Sequence, residues 1–153
     1  MRLRHGYGHW LPRMWVVACA LAAGGCVGQV ISNNESMAIS NVRIVISGQL
    51  TYSAMCMGSY APDFKTLGAK GYIPADLASS DLPAKRGYRY RMTAVKAPAG
   101  TLASECGEPY SDFELVAEPE QPGRTGVRYF RSRSDATIQE ATKADFSDAK
   151  ALQ

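Results

Sequence analysis

The distribution of apolar and polar residues predicts one long helix near the start of the chain. At 100° per residue, one broad side collects apolar side chains: Ala38, Ile39, Val42, Val45, Ile46, Leu50, Tyr52 and Cys56. The opposite side collects mostly small polar side chains: Ser36, Ser40, Arg43, Ser47 and Thr51. Ser32 and Glu35 have the spacing of a capping box, and Gly58 is a natural stop. An amphipathic helix of about 24 residues is therefore expected to begin at Ser32.

A short second element follows this helix. Pro62 is expected at the first position of a helix of one or two turns, because proline favours that position. Phe64 and Leu67 would face inward, and Gly68 would end the helix. Residues 73–87 are then expected to form a loop that contains at most one helical turn.

Beyond residue 87 the pattern alternates with the period of a strand. Tyr88, Tyr90, Met92 and Ala94 share one face, whereas Arg89, Arg91 and Thr93 share the other. Phe113, Leu115 and Ala117 alternate in the same way with Glu114 and Glu118. Residues 127–132 and 136–139 are expected to add one or two further strands.

These elements define an α+β fold. The long helix is the element available to cover the apolar face of a three- or four-stranded antiparallel sheet. Residues 140–153 are polar, and we expect them to form a weak helix or a partly disordered tail. About 128 residues follow residue 25, which suits a single domain.

The first 25 residues have the features of an export signal. Arg2, Arg4 and Arg13 precede an apolar run over residues 14–23. That run is short for a membrane-spanning helix, which needs about 20 apolar residues, and it fits the core of a secretory signal. The chain is therefore expected to be exported to the bacterial cell envelope.

Cys26 is the predicted end of that signal and the predicted site of lipidation. Gly24 and Gly25 are suitably small, although Ala23 stands where a bacterial lipobox usually has leucine. Processing at Cys19 is the alternative, but it would leave an apolar core of only about five residues. Cys26 and a linker up to residue 32 would then tether the protein to a membrane. Ordinary signal cleavage and an uncleaved anchor also remain open.

Charge and histidine content narrow the classes of function that are expected for this chain. The chain has 17 basic and 14 acidic residues, and removal of the signal leaves 14 of each, which gives no electrostatic case for nucleic acid. His5 and His9 both lie in the signal, so a catalytic triad and the usual zinc sites are not expected. Glu105 and Glu108 are interpreted as a solvated loop. The sequence predicts a protein that is not an enzyme and needs no cofactor.

Two cysteines remain for the exported domain. Cys56 and Cys106 are an even number in a compartment where disulfides persist, so they are expected to pair. A redox pair or a metal site is less favoured, because neither cysteine belongs to a CxxC motif and no histidine lies nearby.

Arginines on the strands form a candidate binding stripe. Arg89 and Arg91, with Arg128 and Arg131 on a neighbouring strand, could hold an acidic partner, an anionic glycan or extracellular DNA. The favoured interpretation is a solvated face on which glutamates of the intervening strand balance the arginines. Those glutamates are Glu114 and Glu118.

Several motifs, taken in order, resemble the globular head of bacterial type IV pilin-like proteins and type II secretion pseudopilins. They are "NES" for the group's "NEA", "TYSAMC" for "TYxxxC", "YAP" with "LG", and a "PGxTGxRxF" segment followed by an aspartate. They fall on Asn34, Glu35 and Ser36; Thr51, Tyr52 and Cys56; Tyr60, Ala61 and Pro62; and Pro122, Gly123, Thr125, Gly126, Arg128, Phe130 and Asp135.

The resemblance implies a pilin-like head over residues 33–139 and partners in the cell envelope, with type II secretion or type IV pilus machinery as candidates. Pseudopilins often hold calcium near their C-terminal strands. Asp135 and Glu140 are the weak candidates here, and Arg131 and Arg133 would compete with the cation, so no metal is expected.

The beginning of the chain differs from that of a pilin subunit. It lacks the leader that ends in glycine before a phenylalanine and a glutamate, and Gly24, Gly25 and Gly28 are expected to interrupt a continuous helix. We therefore expect a pilin-like head on a lipoprotein signal. The alternatives are a ligand- or glycan-binding module, which would need a pocket beside the loop over residues 94–111, and a degenerate filament subunit.

Overall fold

The structure is a computed structural model that describes residues 15–101 and 106–152, with side chains described from residue 27 onward. It contains two helices, α1 (Trp15–Met55) and α2 (Phe64–Ala69). The strands are β1 (Ala84–Lys85), β2 (Tyr88–Lys96), β3 (Tyr110–Pro119), β4 (Tyr129–Arg133), β5 (Gln139–Ala141) and β6 (Lys150–Ala151). The strands form one antiparallel sheet in chain order. The predicted α+β class is confirmed, and the sheet has two strands more than the upper prediction.

Helix α1 is longer than the pattern predicted. Its 41 residues extend over about 60 Å, and they include the glycines that were expected to interrupt it. The predicted start at Ser32 is wrong, because Ser32 lies inside the helix and its carbonyl accepts a hydrogen bond from the Ser36 hydroxyl at 2.9 Å. The linker expected before residue 33 is helical as well. A glycine weakens a helix by about 1 kcal/mol relative to alanine, which is not enough to end a long one.

The predicted apolar side of α1 is largely confirmed. Six of its eight residues are buried against the sheet and α2, and Ile39 is half-buried. Leu50 is the exception, because 45% of it is exposed at the rim of a shallow groove beside residues 136–138. The predicted polar side is exposed throughout.

Polar residues that the pattern did not identify also lie on the buried side of α1. Asn41 Nδ2 donates to the Tyr90 hydroxyl at 2.9 Å. Gln49 Oε1 accepts from the Ala61 amide at 2.8 Å, and Gln49 Nε2 donates to the Ala61 carbonyl at 3.0 Å and to Met92 Sδ at 3.1 Å. These contacts set β2 alongside α1, with both running in the same direction.

Helix α2 begins two residues later than predicted. Asp63 is its N-cap, and the Asp63 carboxylate accepts a hydrogen bond from the Thr66 amide at 2.7 Å. Phe64 and Leu67 are buried as expected, whereas Gly68 lies within the helix instead of ending it.

The alternation in β2 and β3 is confirmed, but the end of the chain differs from the prediction. Strand β5 starts at Gln139, and β5 and β6 (Lys150–Ala151) bring two parts of the predicted tail into the sheet, with a loop over residues 142–149 between them. The Leu152 amide donates to the Ile138 carbonyl at 2.8 Å, and Leu152 packs against the core. The apolar side chain of Leu152 therefore holds the end of the chain on the core, a contact that an entirely polar tail would lack.

Candidate functional site

A cluster of charged residues fastens α1 to the sheet at the end of the head from which the rest of the helix emerges. Glu35 Oε1 accepts hydrogen bonds from the amides of Val127 at 2.9 Å and Arg128 at 3.1 Å. Glu35 Oε2 pairs with Arg128 Nε at 2.9 Å. Arg128 Nη1 also reaches Glu140 Oε2 at 2.6 Å, and Lys150 Nζ lies 3.2 Å from Glu140 Oε1. The sequence pattern assigned Glu35 to a helix cap. Its carboxylate instead binds the amides of Val127 and Arg128, which follow it by 92 and 93 positions in the chain.

The electrostatics of this cluster keep it charged at neutral pH. Burial opposes ionisation of Glu140, but hydrogen bonds from Arg128 and Lys150 outweigh it and lower the pKa of Glu140. Burial likewise opposes the charge of Arg128, and its carboxylate partners raise the pKa of Arg128. Arg128 therefore has a structural role. While it is paired with Glu35 and Glu140, its guanidinium cannot belong to the predicted binding stripe.

The calcium candidates do not come together as a site. The Glu140 carboxylate is held by two cations, and Asp135 Oδ1 accepts a hydrogen bond from the Thr137 amide at 3.0 Å. Within residues 27–101 and 106–152, no three His, Cys, Asp or Glu side chains are grouped in a way that could hold a metal ion.

The register of the sheet divides the predicted stripe between two faces. Arg128 precedes Phe130 by two residues, and Phe130 is buried on the side that faces α1. Arg131 is paired across the sheet with Val116, which is paired in turn with Arg91. Arg91 and Arg131 therefore share the outer face, away from α1, and Arg128 does not.

The β4 half of this outer face is internally neutralised. Arg133 Nη2 lies 2.7 Å from Glu114 Oε1, and Arg131 Nη1 lies 3.9 Å from the same oxygen. Arg131 also donates twice to Gln139 Oε1, at 3.1 and 2.7 Å, and its guanidinium lies 4.5 Å from the centre of the Phe146 ring. The predicted balance by Glu114 is confirmed for these two arginines.

The β2 half of the outer face is not neutralised in this way. Arg89 and Arg91 make no ion pair or side-chain hydrogen bond within the described part of the chain. Glu118 is the cross-strand neighbour of Arg89, but the two do not form an ion pair. Val116 is only 6% exposed although it lies on this face, as expected where long arginine stems flank an apolar side chain.

The tyrosines between these arginines belong to the core. Tyr88 and Tyr90 are fully buried, the Tyr88 hydroxyl donates to the Arg128 carbonyl at 2.7 Å, and burial raises the pKa of Tyr90 to about 12. Gly126 packs directly over Tyr88, since a Cβ at that position would lie 2.1 Å from the hydroxyl oxygen. The aromatic rings are therefore not exposed beside the arginines.

The opposite end of the head contains the predicted cysteine pair. The Cα atoms of Cys56 and Cys106 are 5.7 Å apart, which is compatible with the predicted disulfide, and the Tyr52 hydroxyl donates to the Cys106 carbonyl at 3.3 Å. Glu108 pairs with Lys96 at 2.8 Å, whereas Glu105 lies outside the described residues.

A half-open groove of about 460 Å³ lies beside this cysteine pair. The alternative of a ligand-binding module requires a pocket beside the loop over residues 94–111, and this groove lies there. Its lining is mostly apolar and includes Met57, Pro98 and Pro109, together with Tyr110.

The predicted signal and lipidation site lie outside what the structure describes in atomic detail. Residues 1–14 are not described, and for residues 15–26, which include Cys19 and Cys26, only the helical backbone is described. Lipidation of Cys26 therefore stays a prediction.

Among the described residues, none of the helices combines the length and hydrophobicity that crossing a bilayer requires.

Comparisons with known proteins give no match: no family model, no curated protein and no solved structure is significantly similar to this chain.

Proposed function

We propose that this chain is a non-enzymatic protein of the bacterial cell envelope, with a pilin- or pseudopilin-like head that serves as a structural or protein-interaction module. The observation that supports this is the division of α1 into two parts. Residues 35–56 pack on an antiparallel sheet, whereas residues 27–30 are exposed and lie outside the core. Such a helix can carry the head on a stem, which we define as the part of α1 that precedes Asn34.

In this proposal the stem is tethered to a membrane through a lipid on Cys26. The head is then presented to protein partners in the envelope, with type II secretion or type IV pilus machinery as the candidates. The proposal continues the motif resemblance, and the packing of α1 on the sheet agrees with it.

A specific observation favours a second candidate, a filament subunit. The glycines at positions 24, 25 and 28 were expected to interrupt the helix, but α1 is continuous across them. An uninterrupted stem could pack against the stems of other copies without any lipid. This candidate predicts polymers of the full chain in electron micrographs.

The intact mass of the membrane-extracted protein, with a peptide map of its N-terminus, tests the tether. A diacylglyceryl or triacyl group on Cys26 is the expected result. Cys26→Ser should abolish the added mass, while Cys19→Ser should leave it unchanged. An unmodified chain that retains residues 1–25 would overturn the lipoprotein proposal and favour the filament subunit.

A further inference from the structure

We propose that the β2 half of the outer sheet face binds an acidic, extended polypeptide segment of another protein, with Arg89 and Arg91 as the residues that recognise it. This inference rests on the proposed function, because it names the surface and the partner chemistry of the interaction module.

The basis is a run of four basic residues, of which only one forms an ion pair within the described residues. Residues 85–91 contain four basic side chains and no acidic one. Lys85 pairs with Asp76 at 2.7 Å, but Arg86, Arg89 and Arg91 make no ion pair within the described residues. On β4, by contrast, Arg131 and Arg133 have their own acceptors. Within the described part of the chain, the outer-face arginines that lack an acceptor are therefore those of β2, and the carboxylate across from Arg89, that of Glu118, forms no ion pair.

The position of these arginines argues against a membrane as the partner. Gly87 lies next to Asn34 of α1, and the pairs Asn41–Tyr90 and Gln49–Met92 show that β2 then runs along the helix away from the stem. Arg89 and Arg91 project sideways from that strand. A membrane reached through the stem would meet the end of the head, not this face.

The buried tyrosines argue against single-stranded nucleic acid. Binding of that kind usually combines cationic side chains with exposed aromatic rings on which bases stack. Tyr88 and Tyr90, which alternate with the arginines, are both inside the core. The aromatic residues of β2 itself therefore offer no exposed ring beside Arg89 and Arg91 on which a base could stack.

The spacing of the arginines fits an extended acidic segment. Arg89 and Arg91 are alternate residues of one strand, so their Cα atoms are about 6.6 Å apart along it. Alternate carboxylates of an extended peptide repeat at the same distance. Each guanidinium can bind a carboxylate through two parallel hydrogen bonds, which is the strongest form of such a contact.

The test measures binding of a fluorescein-labelled ten-residue peptide of alternating glutamate and serine to the purified full chain, by fluorescence anisotropy. We expect saturable binding and a Kd about tenfold higher for the variant Arg89→Gln with Arg91→Gln. The matched control is Arg43→Gln with Lys65→Gln, which removes two exposed cations that have no ion pair elsewhere on the head. The control should change the Kd less than about twofold.

An additional variant separates recognition by the guanidinium groups from general attraction between opposite charges. Arg89→Lys with Arg91→Lys keeps the charge and should give an intermediate Kd, because lysine lacks the paired donors. Thermal unfolding verifies that each variant is folded. Equal weakening by the two glutamine variants, or no saturable binding, would overturn the proposal. So would tighter, Arg89-dependent binding to polygalacturonate or to anionic vesicles. Because the assay does not involve Cys26, its result is independent of the lipidation test.

Discussion

Helix α1 is fastened to the rest of the head at two places, and the chemistry differs between them. Near the stem, Glu35 holds the turn before β4 through hydrogen bonds and an ion pair. At the far end, Cys56 lies at disulfide distance from Cys106. The first attachment depends on charge and geometry, and the second depends on oxidation. The two ends of one helix can therefore be released by different conditions.

The largest effect is expected at the cysteine end. The variant Cys56→Ala with Cys106→Ala should lower the free energy of unfolding by about 4 kcal/mol, because the bridge closes a loop of 50 residues in the unfolded chain. Guanidinium denaturation measures the change, with reduced wild-type protein as the control. A loss below about 1 kcal/mol would mean that the two thiols do not pair.

Removal of the ionic attachment should have the next largest effect. Glu35→Ala leaves two amides and Arg128 Nε without an acceptor, although Arg128 Nη1 keeps Glu140, so we expect a loss of about 3 kcal/mol. Glu118→Ala is the matched control, because Glu118 is a half-exposed glutamate without an ion pair, and it should change stability by less than about 0.5 kcal/mol. Similar losses in the two variants would refute the role assigned to Glu35.

Acid should weaken the ionic attachment at the stem end. The pKa of Glu140 is lower in the folded protein than its ordinary value near 4.5. Its stabilising contribution is therefore complete above that ordinary value and is lost as the pH falls through the folded pKa. Unfolding measured between pH 7 and pH 3 should show a smaller acid-induced loss in Glu140→Gln than in wild type. An identical pH dependence would contradict this assignment.

The smallest effect is expected at Ser32. If Ser32 capped a helix, Ser32→Ala would cost about 1 kcal/mol. Because Ser32 lies within α1, the expected change is below about 0.5 kcal/mol, measured in the same denaturation experiment. A larger loss would restore the helix start that the sequence pattern predicted.

Local patterns predicted most of the head, and long-range contacts explain what they missed. The alternation of Tyr88 and Tyr90 with Arg89 and Arg91 was sufficient to place β2 and its two faces. The pattern around Ser32 and Glu35 was misleading, because Glu35 is used by residues more than 90 positions away in the sequence. A local motif carries no information about such a partner.

The same limit applies to the candidate stripe. Sequence spacing alone could have shown that Arg128 and Arg131 would lie on opposite faces of the strand predicted over residues 127–132, since they are an odd number of residues apart. It could not have shown that Glu114 pairs with Arg133 and leaves Arg89 and Arg91 without partners. That distinction depends on the cross-strand register and on side-chain reach.

Because α1 is continuous, it also fixes the direction in which the head faces around the axis of the stem. Each residue of a helix advances about 1.5 Å and turns about 100°. One alanine inserted at position 30 would raise the head by only that distance, yet it would swing the Arg89 and Arg91 face by more than a quarter turn about the stem. The number of residues in the stem before Glu35 therefore sets the direction in which this face points.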